Sequence, residues 1–99
     1  MGVCKMKVTI KFFTTLRELT GKGEEQMELP SVTTVEELLK QLSKRYGRKF
    51  SDYVYNDVGN VRGYLQFLIN GRSITTLQGL ETRLKEGDRV AIIPPVGGG

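Results

Sequence analysis

One stretch of helical periodicity, in a chain otherwise patterned for strands, sets the tightest limit on the fold. Val35, Leu38, Leu39, Leu42 and Tyr46 recur at i, i+3, i+4, i+7 and i+11, which is one face of an amphipathic helix. Lys40, Gln41, Lys44 and Arg45 fall off that face. Thr33 with Glu36, or Thr34 with Glu37, has the spacing of a capping box, and Gly47 supplies a C-terminal stop. The pattern predicts a helix over 34–46. A single apolar stripe must be buried against another layer, and the rest of this chain offers a sheet.

Residues 6–13 alternate, with Met6, Val8, Ile10 and Phe12 on one face and Lys7, Thr9, Lys11 and Phe13 on the other. This period of two predicts a half-buried strand. Glu25 to Leu29, ended by Pro30, reads as its antiparallel hairpin partner, across a turn-rich connection from Thr14 to Gly23. Arg48 to Arg62 is polar and irregular and predicts a long loop with room for a helical turn, part of it packing down through Phe50, Tyr53 and Tyr55. Tyr64 to Ile69 reads as the third strand, with Leu65, Phe67 and Ile69 inward and Tyr64, Gln66 and Leu68 outward. Asn70-Gly71 is a strong hairpin signal, so Ser73-Ile74 is expected to pair back briefly. Leu77, Leu80 and Leu84 suggest a tucked segment with short helical turns. Arg89 to Ile93 is the last strand, with Val90 and Ile92 inward and Ala91 and Ile93 outward. Pro94-Pro95 ends it, because neither proline can donate a ladder hydrogen bond. The expected class is α+β, a β-grasp pattern: a mixed four- to five-stranded sheet packed on one main helix. Residues 1–94 form that domain and 95–99 a flexible glycine-rich tail.

Composition narrows the chemistry. The chain has 99 residues, room for one small domain. Histidine is absent and Cys4 is the only cysteine. These counts exclude histidine acid–base catalysis, Ser-His-Asp triads, an internal disulfide and cysteine-based metal sites. The net charge of +4 is spread along the sequence. A nucleic-acid surface needs a denser basic stripe, so no nucleic-acid partner is expected; the modest excess suits steering toward an acidic protein. No long apolar run or signal-peptide pattern is present, which predicts a soluble cytoplasmic protein without membrane contact.

The chain closes on Pro94-Pro95-Val96-Gly97-Gly98-Gly99. Glycine has nothing to bury and a high ordering cost, so this is a poor way to finish a core. It is a good way to build a thin, reaching tail whose distinctive reactive group is the Gly99 carboxylate. Val96 to Gly99 span roughly 13–14 Å when extended. Ordering three glycines costs about 3–6 kcal/mol, so the folded domain must supply docking energy. Phe13, Leu68, Ala91 and Ile93 all point away from the helix, and they form a candidate docking patch. The alternative is that the 48–62 loop or a second copy covers them.

Five stretches carry a resemblance: Phe12 to Leu19 (FFTTLREL), Thr34 to Gly47 (TVEELLKQLSKRYG), Leu68 to Gly71 (LING), Leu77 to Val90 (LQGLETRLKEGDRV) and Pro94 to Gly99 (PPVGGG). In this order they resemble the small sulfur-carrier subunit of molybdopterin synthase, the MoaD-like branch of the ubiquitin-like proteins. The family's usual ending is Pro-Pro-Val, one small residue, then Gly-Gly; Gly97 stands at the small position here, and Gly98 and Gly99 match the functional pair. The thiamin-pathway sulfur carrier is similar but shorter, lacking much of the 48–62 region. The resemblance implies that a partner adenylating enzyme uses MgATP to activate Gly99, and that a sulfur donor converts it to a thiocarboxylate. The tail, with Gly98 beside the reacting end and Pro94, Pro95, Val96 and Gly97 as its root, would then enter the large synthase subunit and deliver sulfur to a pterin precursor. On this reading the protein is a consumed co-substrate and subunit rather than the catalyst, with no stably bound cofactor and no metal. Two alternatives stand: a ubiquitin-like modifier joined through Gly99 to lysines, or a thiamin-type carrier.

Overall fold

The computed structural model describes residues 5–94. Five strands form one mixed sheet: β1 (Lys5–Phe12), β2 (Glu24–Pro30), β3 (Gln66–Ile69), β4 (Arg72–Ser73) and β5 (Arg89–Ile93). Their spatial order is β2-β1-β5-β3-β4. β1 and β5 run parallel in the middle, and the other pairs are antiparallel. Three α-helices join them: α1 (Thr15–Thr20), α2 (Val35–Tyr46) and α3 (Arg48–Val54). The architecture is the expected β-grasp.

α2 begins where its capping signal is complete. Thr34, rather than Thr33, is the N-cap. Its Oγ1 accepts from the Glu37 N–H at 3.2 Å, and the Thr34 N–H donates back to Glu37 Oε1 at 3.1 Å. The helix lays Val35, Leu38, Leu39 and Leu42 on the sheet face made by Met6, Val8, Ile10, Phe12, Val90 and Ile92, and all of these are buried. Every residue assigned inward on the first strand is therefore in the core. Burying each such side chain contributes about 1.5–3 kcal/mol.

Two connections are more ordered than the sequence reading expects. The Thr14–Gly23 connection contains α1, which sinks Leu16 into the core. The 48–62 segment, read as a long loop, opens with α3. Phe50 and Val54, four residues apart, are fully buried there. Phe50 meets Phe12 edge-on at 6.4 Å between ring centroids and lies 5.9 Å from Tyr46. The segment then closes with a bridge between Tyr55 and Val61. Seven residues are too few to display a helical period, but one i, i+4 apolar pair is enough to fasten a turn to the core.

The remaining boundaries move by a residue or two. β3 starts at Gln66, and Tyr64 precedes it on the surface. The strand after Asn70-Gly71 is Arg72–Ser73. Leu77 and Leu80 pack beside the core around two 3₁₀ turns, Ile74–Thr76 and Gly79–Glu81, and Leu84 is buried. That stretch is tied to the start of α2 by the Val35 N–H to the Thr82 carbonyl and the Leu84 N–H to the Thr33 carbonyl, both 3.0 Å.

Candidate docking face and C-terminal strand

β5 carries the chain toward its end from the middle of the sheet, between β1 and β3. Its register against β3 is fixed by the Asn70-Gly71 turn. Asn70 and Gly71 take φ of 53° and 85°, the left-handed pair of a type I′ hairpin that these two residue types tolerate. The Asn70 N–H donates to the Arg89 carbonyl at 2.8 Å. Its side chain donates to Asp88 Oδ1 at 2.9 Å and accepts from the Arg89 N–H at 3.0 Å. Asp88 Oδ2 accepts from the Lys85 N–H at 2.7 Å. The Gly87-Asp88 turn and the Asn-Gly turn thus lock each other, and a slip by one residue would turn every β5 side chain over.

That register assembles most of the expected patch. Leu68 stands opposite Ala91, and Ile93 lies one step on, opposite Gln66. All three expected apolar positions on these strands are half-buried. Phe13 lies outside β1, one residue past the last parallel pair, Phe12 with Ile92. It emerges at the Ile93 end of the patch and is 40% exposed. α1, α2 and α3 all send their buried residues to the opposite side of the sheet, so the 48–62 segment does not cover this face. Pro94, expected among the contact residues, is itself buried: it seals the end of β5. Cys4 and the tail residues Pro95, Val96, Gly97, Gly98 and Gly99 lie outside the described residues.

The alternation that selected the patch also places residues the sequence reading did not single out. Lys11 stands opposite Ala91 on its β1 side, and Gln66 opposite Ile93. Farther out, Lys7 faces Glu28 and Lys11 faces Glu24 across the β1–β2 ladder. The apolar strip is therefore bordered by a wing of mixed charge.

Besides Asp88, whose carboxylate the two turns satisfy, Glu25 is the charged side chain buried among the described residues. Glu25 continues the inward parity of Met27 and Leu29, and it accepts from the Tyr46 hydroxyl and from Arg45 Nη1 at 2.9 Å. Lys22 Nζ lies 3.8 Å away. This corner ties the end of α2 to the start of β2. Burial, reinforced by the hydrogen bond to Glu25 and that carboxylate's charge and opposed by Arg45, pushes the Tyr46 phenol up to about 12. Among the described residues no group of three or more acidic, cysteine or histidine side chains could hold a metal ion. No described helix is long and apolar enough to cross a membrane.

The model of the ThiS family matches residues 10–99, nine-tenths of the sequence and all of the outward patch. The chain belongs to the ThiS family. Within the family's wider circle of sulfur carriers and ubiquitin-like modifiers, it is similar to small archaeal modifier protein 3 of Haloferax volcanii. The two are 34% identical over 98 residues, covering 95% of this chain and 100% of the relative. It is also similar to the molybdopterin synthase sulfur carrier subunit of Drosophila melanogaster, 32% identical over 94 residues, covering 95% of this chain and 92% of that one. The crystal structure of SAMP1 from Haloferax volcanii superposes with a TM-score of 0.83 at 26% identity, covering 94% of this chain and 99% of the other.

Proposed function

We propose that the protein is the sulfur-carrier subunit of a molybdopterin synthase, acting through the Gly99 carboxylate. The observation that carries this reading is the near end-to-end match to a molybdopterin synthase sulfur carrier subunit, joined to an apolar sheet face beside the strand that leads to the tail. A carboxylate is a poor electrophile. An adenylating partner joins it to AMP, with pyrophosphate leaving from MgATP. A sulfur donor then displaces AMP, and the thiocarboxylate remains on Gly99. The large synthase subunit draws in the tail, the thiocarboxylate sulfur bonds to a pterin precursor, and water attacks the acyl carbon, breaking the C–S bond and restoring the carboxylate. Glycine at 98 and 99 lets the backbone pass a narrow channel without side-chain clash.

Docking is assigned to Leu68, Ala91, Ile93 and Phe13, whose apolar area offers about 1.5–3 kcal/mol per large side chain before other costs. That offsets the roughly 3–6 kcal/mol of ordering the terminal glycines. Intact-protein mass spectrometry with the adenylating enzyme, MgATP and a sulfide source tests the reading. The expected result is an oxygen-to-sulfur mass increase that disappears when Gly99 is deleted, while the fold is unchanged. No increase with a matched partner overturns it.

The full-length similarity to an archaeal modifier protein favours a second reading, in which the same adenylate is attacked by a lysine amine and Gly99 ends in an isopeptide bond. Lysine adducts recovered from lysate, with no thiocarboxylate on the free protein, would select it.

A further inference from the structure

β2 ends the sheet on the side away from β4. Three backbone bonds set its phase against β1. The Phe12 N–H donates to the Gly23 carbonyl at 2.9 Å, one step past the Lys11–Glu24 pair, so Phe12 and Gly23 are a bonded pair. On the other flank of β1, the Thr9 N–H donates to the Asp88 carbonyl at 3.0 Å, and the Lys7 carbonyl accepts from the Gly87 N–H at 2.8 Å. In an antiparallel ladder, bonded and non-bonded pairs alternate. Ile10 with Glu25, Val8 with Met27 and Met6 with Leu29 are therefore bonded pairs. Glu24, Gln26 and Glu28, opposite Lys11, Thr9 and Lys7, turn their N–H and carbonyl groups away from the sheet. All three residues are exposed, and among the described residues no hydrogen bond reaches those backbone groups. The open stretch stops at Pro30, which has no N–H to offer and whose carbonyl accepts from the Thr33 N–H and hydroxyl.

We propose that the outer edge of β2, from Glu24 to Glu28, is a strand-addition site for an extended segment of a partner protein with lysine or arginine at alternate positions. Backbone pairing to an open sheet edge supplies affinity in this mode, and alternate side chains supply selectivity. The outward side chains choose the charge. β1 sets Lys7 against Glu28 and Lys11 against Glu24, and neither carboxylate is held in an ion pair among the described residues. A basic strand on the outer flank meets the same two carboxylates and continues the alternation of sign from strand to strand. A second copy of this chain is the wrong occupant. Two β2 strands paired antiparallel about Gln26 would set Glu24 of each against Glu28 of the other, and like charges directly opposite are destabilising. Its other edge strand, β4, is two residues long. β1 separates this edge from β5 and β3, which carry the Leu68–Ala91 strip, so the site does not rest on how Gly99 reacts.

The test is a titration of the full-length, isotopically labelled protein with a capped lysine-valine-threonine-valine-lysine peptide, followed by amide chemical shifts and hydrogen exchange. The expected result is shift changes along β2, with exchange slowed at the Glu24, Gln26 and Glu28 amides and unaltered at Glu25, Met27 and Leu29, which β1 already holds. The same peptide with N-methylated backbone amides should bind at least about tenfold more weakly, since it keeps the side chains and loses the ladder donors. Glutamate in place of both lysines should weaken binding about fivefold or more. Gln26→Pro removes an N–H that no described group uses, at a strand edge where proline is tolerated. Its spectrum should stay native-like while binding falls at least about tenfold. Glu24→Gln with Glu28→Gln is the second variant; it should keep the exchange pattern and lose the preference for lysine over glutamate. Equal binding of the N-methylated peptide overturns the proposal. So do equal binding of the lysine and glutamate peptides to the unaltered protein, shifts confined to the Leu68–Ala91 face, self-association through β2 without peptide, or no change at millimolar peptide.

Discussion

The two faces of β1, β3 and β5 are built from the same strands, yet they bind by different rules. Inward, the side chains are large, apolar and enclosed by three helices. Outward, a narrow strip of Leu68, Ala91 and Ile93 lies beside the mixed-charge wing of β1 and β2 and is left half-buried. The inward face spends its apolar area on folding, and the outward face keeps its area for a later contact. A strand with a period of two permits this, because the two sets of residues never compete for the same space.

Changes on the inward face should therefore cost stability and spare recognition, and outward changes should do the reverse. Phe50→Ala should give the largest effect. It empties the ring packed against Phe12 and Tyr46, and urea denaturation should register a loss of about 3–5 kcal/mol. A much smaller loss would mean that α3 is a loose flap and that the inward rule stops at α2. Leu68→Asp should leave stability within about 1 kcal/mol while weakening association with an adenylating or synthase partner at least about tenfold by calorimetry. Unchanged affinity would reduce the outward strip to ordinary surface.

Tyr46→Phe probes the polar corner of the inward face. In the folded protein the phenol ionises near pH 12 against an ordinary value of 10.0, so the unfolded chain loses its proton first. The corner's contribution is complete below pH 10 and is lost as pH rises toward about 12. The variant should be about 1 kcal/mol less stable at neutral pH and should lack that alkaline component in its stability–pH profile. Identical profiles would show that Arg45 and Lys22 hold Glu25 without the phenol. The smallest effect concerns Thr14, which joins β1 to α1 at φ 48° and ψ −116°, an unfavourable conformation for a β-branched residue. Thr14→Gly should stabilise by about 0.5–1 kcal/mol in thermal unfolding; destabilisation would show that the threonine side chain has a role at the end of the patch.

The faces were legible in the sequence because alternation is local: Met6 to Phe12 and Arg89 to Ile93 declare their inward and outward sets without reference to the rest of the fold. The Asn70-Gly71 turn was legible for the same reason, and the cap of α2 was narrowed to Thr33 or Thr34. α3 was not, since Phe50 and Val54 sit among polar neighbours and gain their place only from Phe12 and Tyr46, distant in sequence. Glu25 was not legible either. Strand parity alone sends a charge inward there, and its acceptability depends on Arg45 and Tyr46 arriving from another element. Of the candidate site, parity placed the strand residues on one face, and it could not show that Pro94 is buried at the end of β5.

The parallel pairing of β1 with β5 has a mechanical consequence. Thr9 to Phe12 lie alongside Arg89 to Ile92, so a pull on the chain beyond Ile93 against a hold on the N-terminal strand loads the ladder lengthwise. Its bonds must then yield together, whereas a strand peeled from a sheet edge gives way one bond at a time. β5 is also gripped by β3 on its other flank. A domain wired in this way can be towed by its last residues without coming apart.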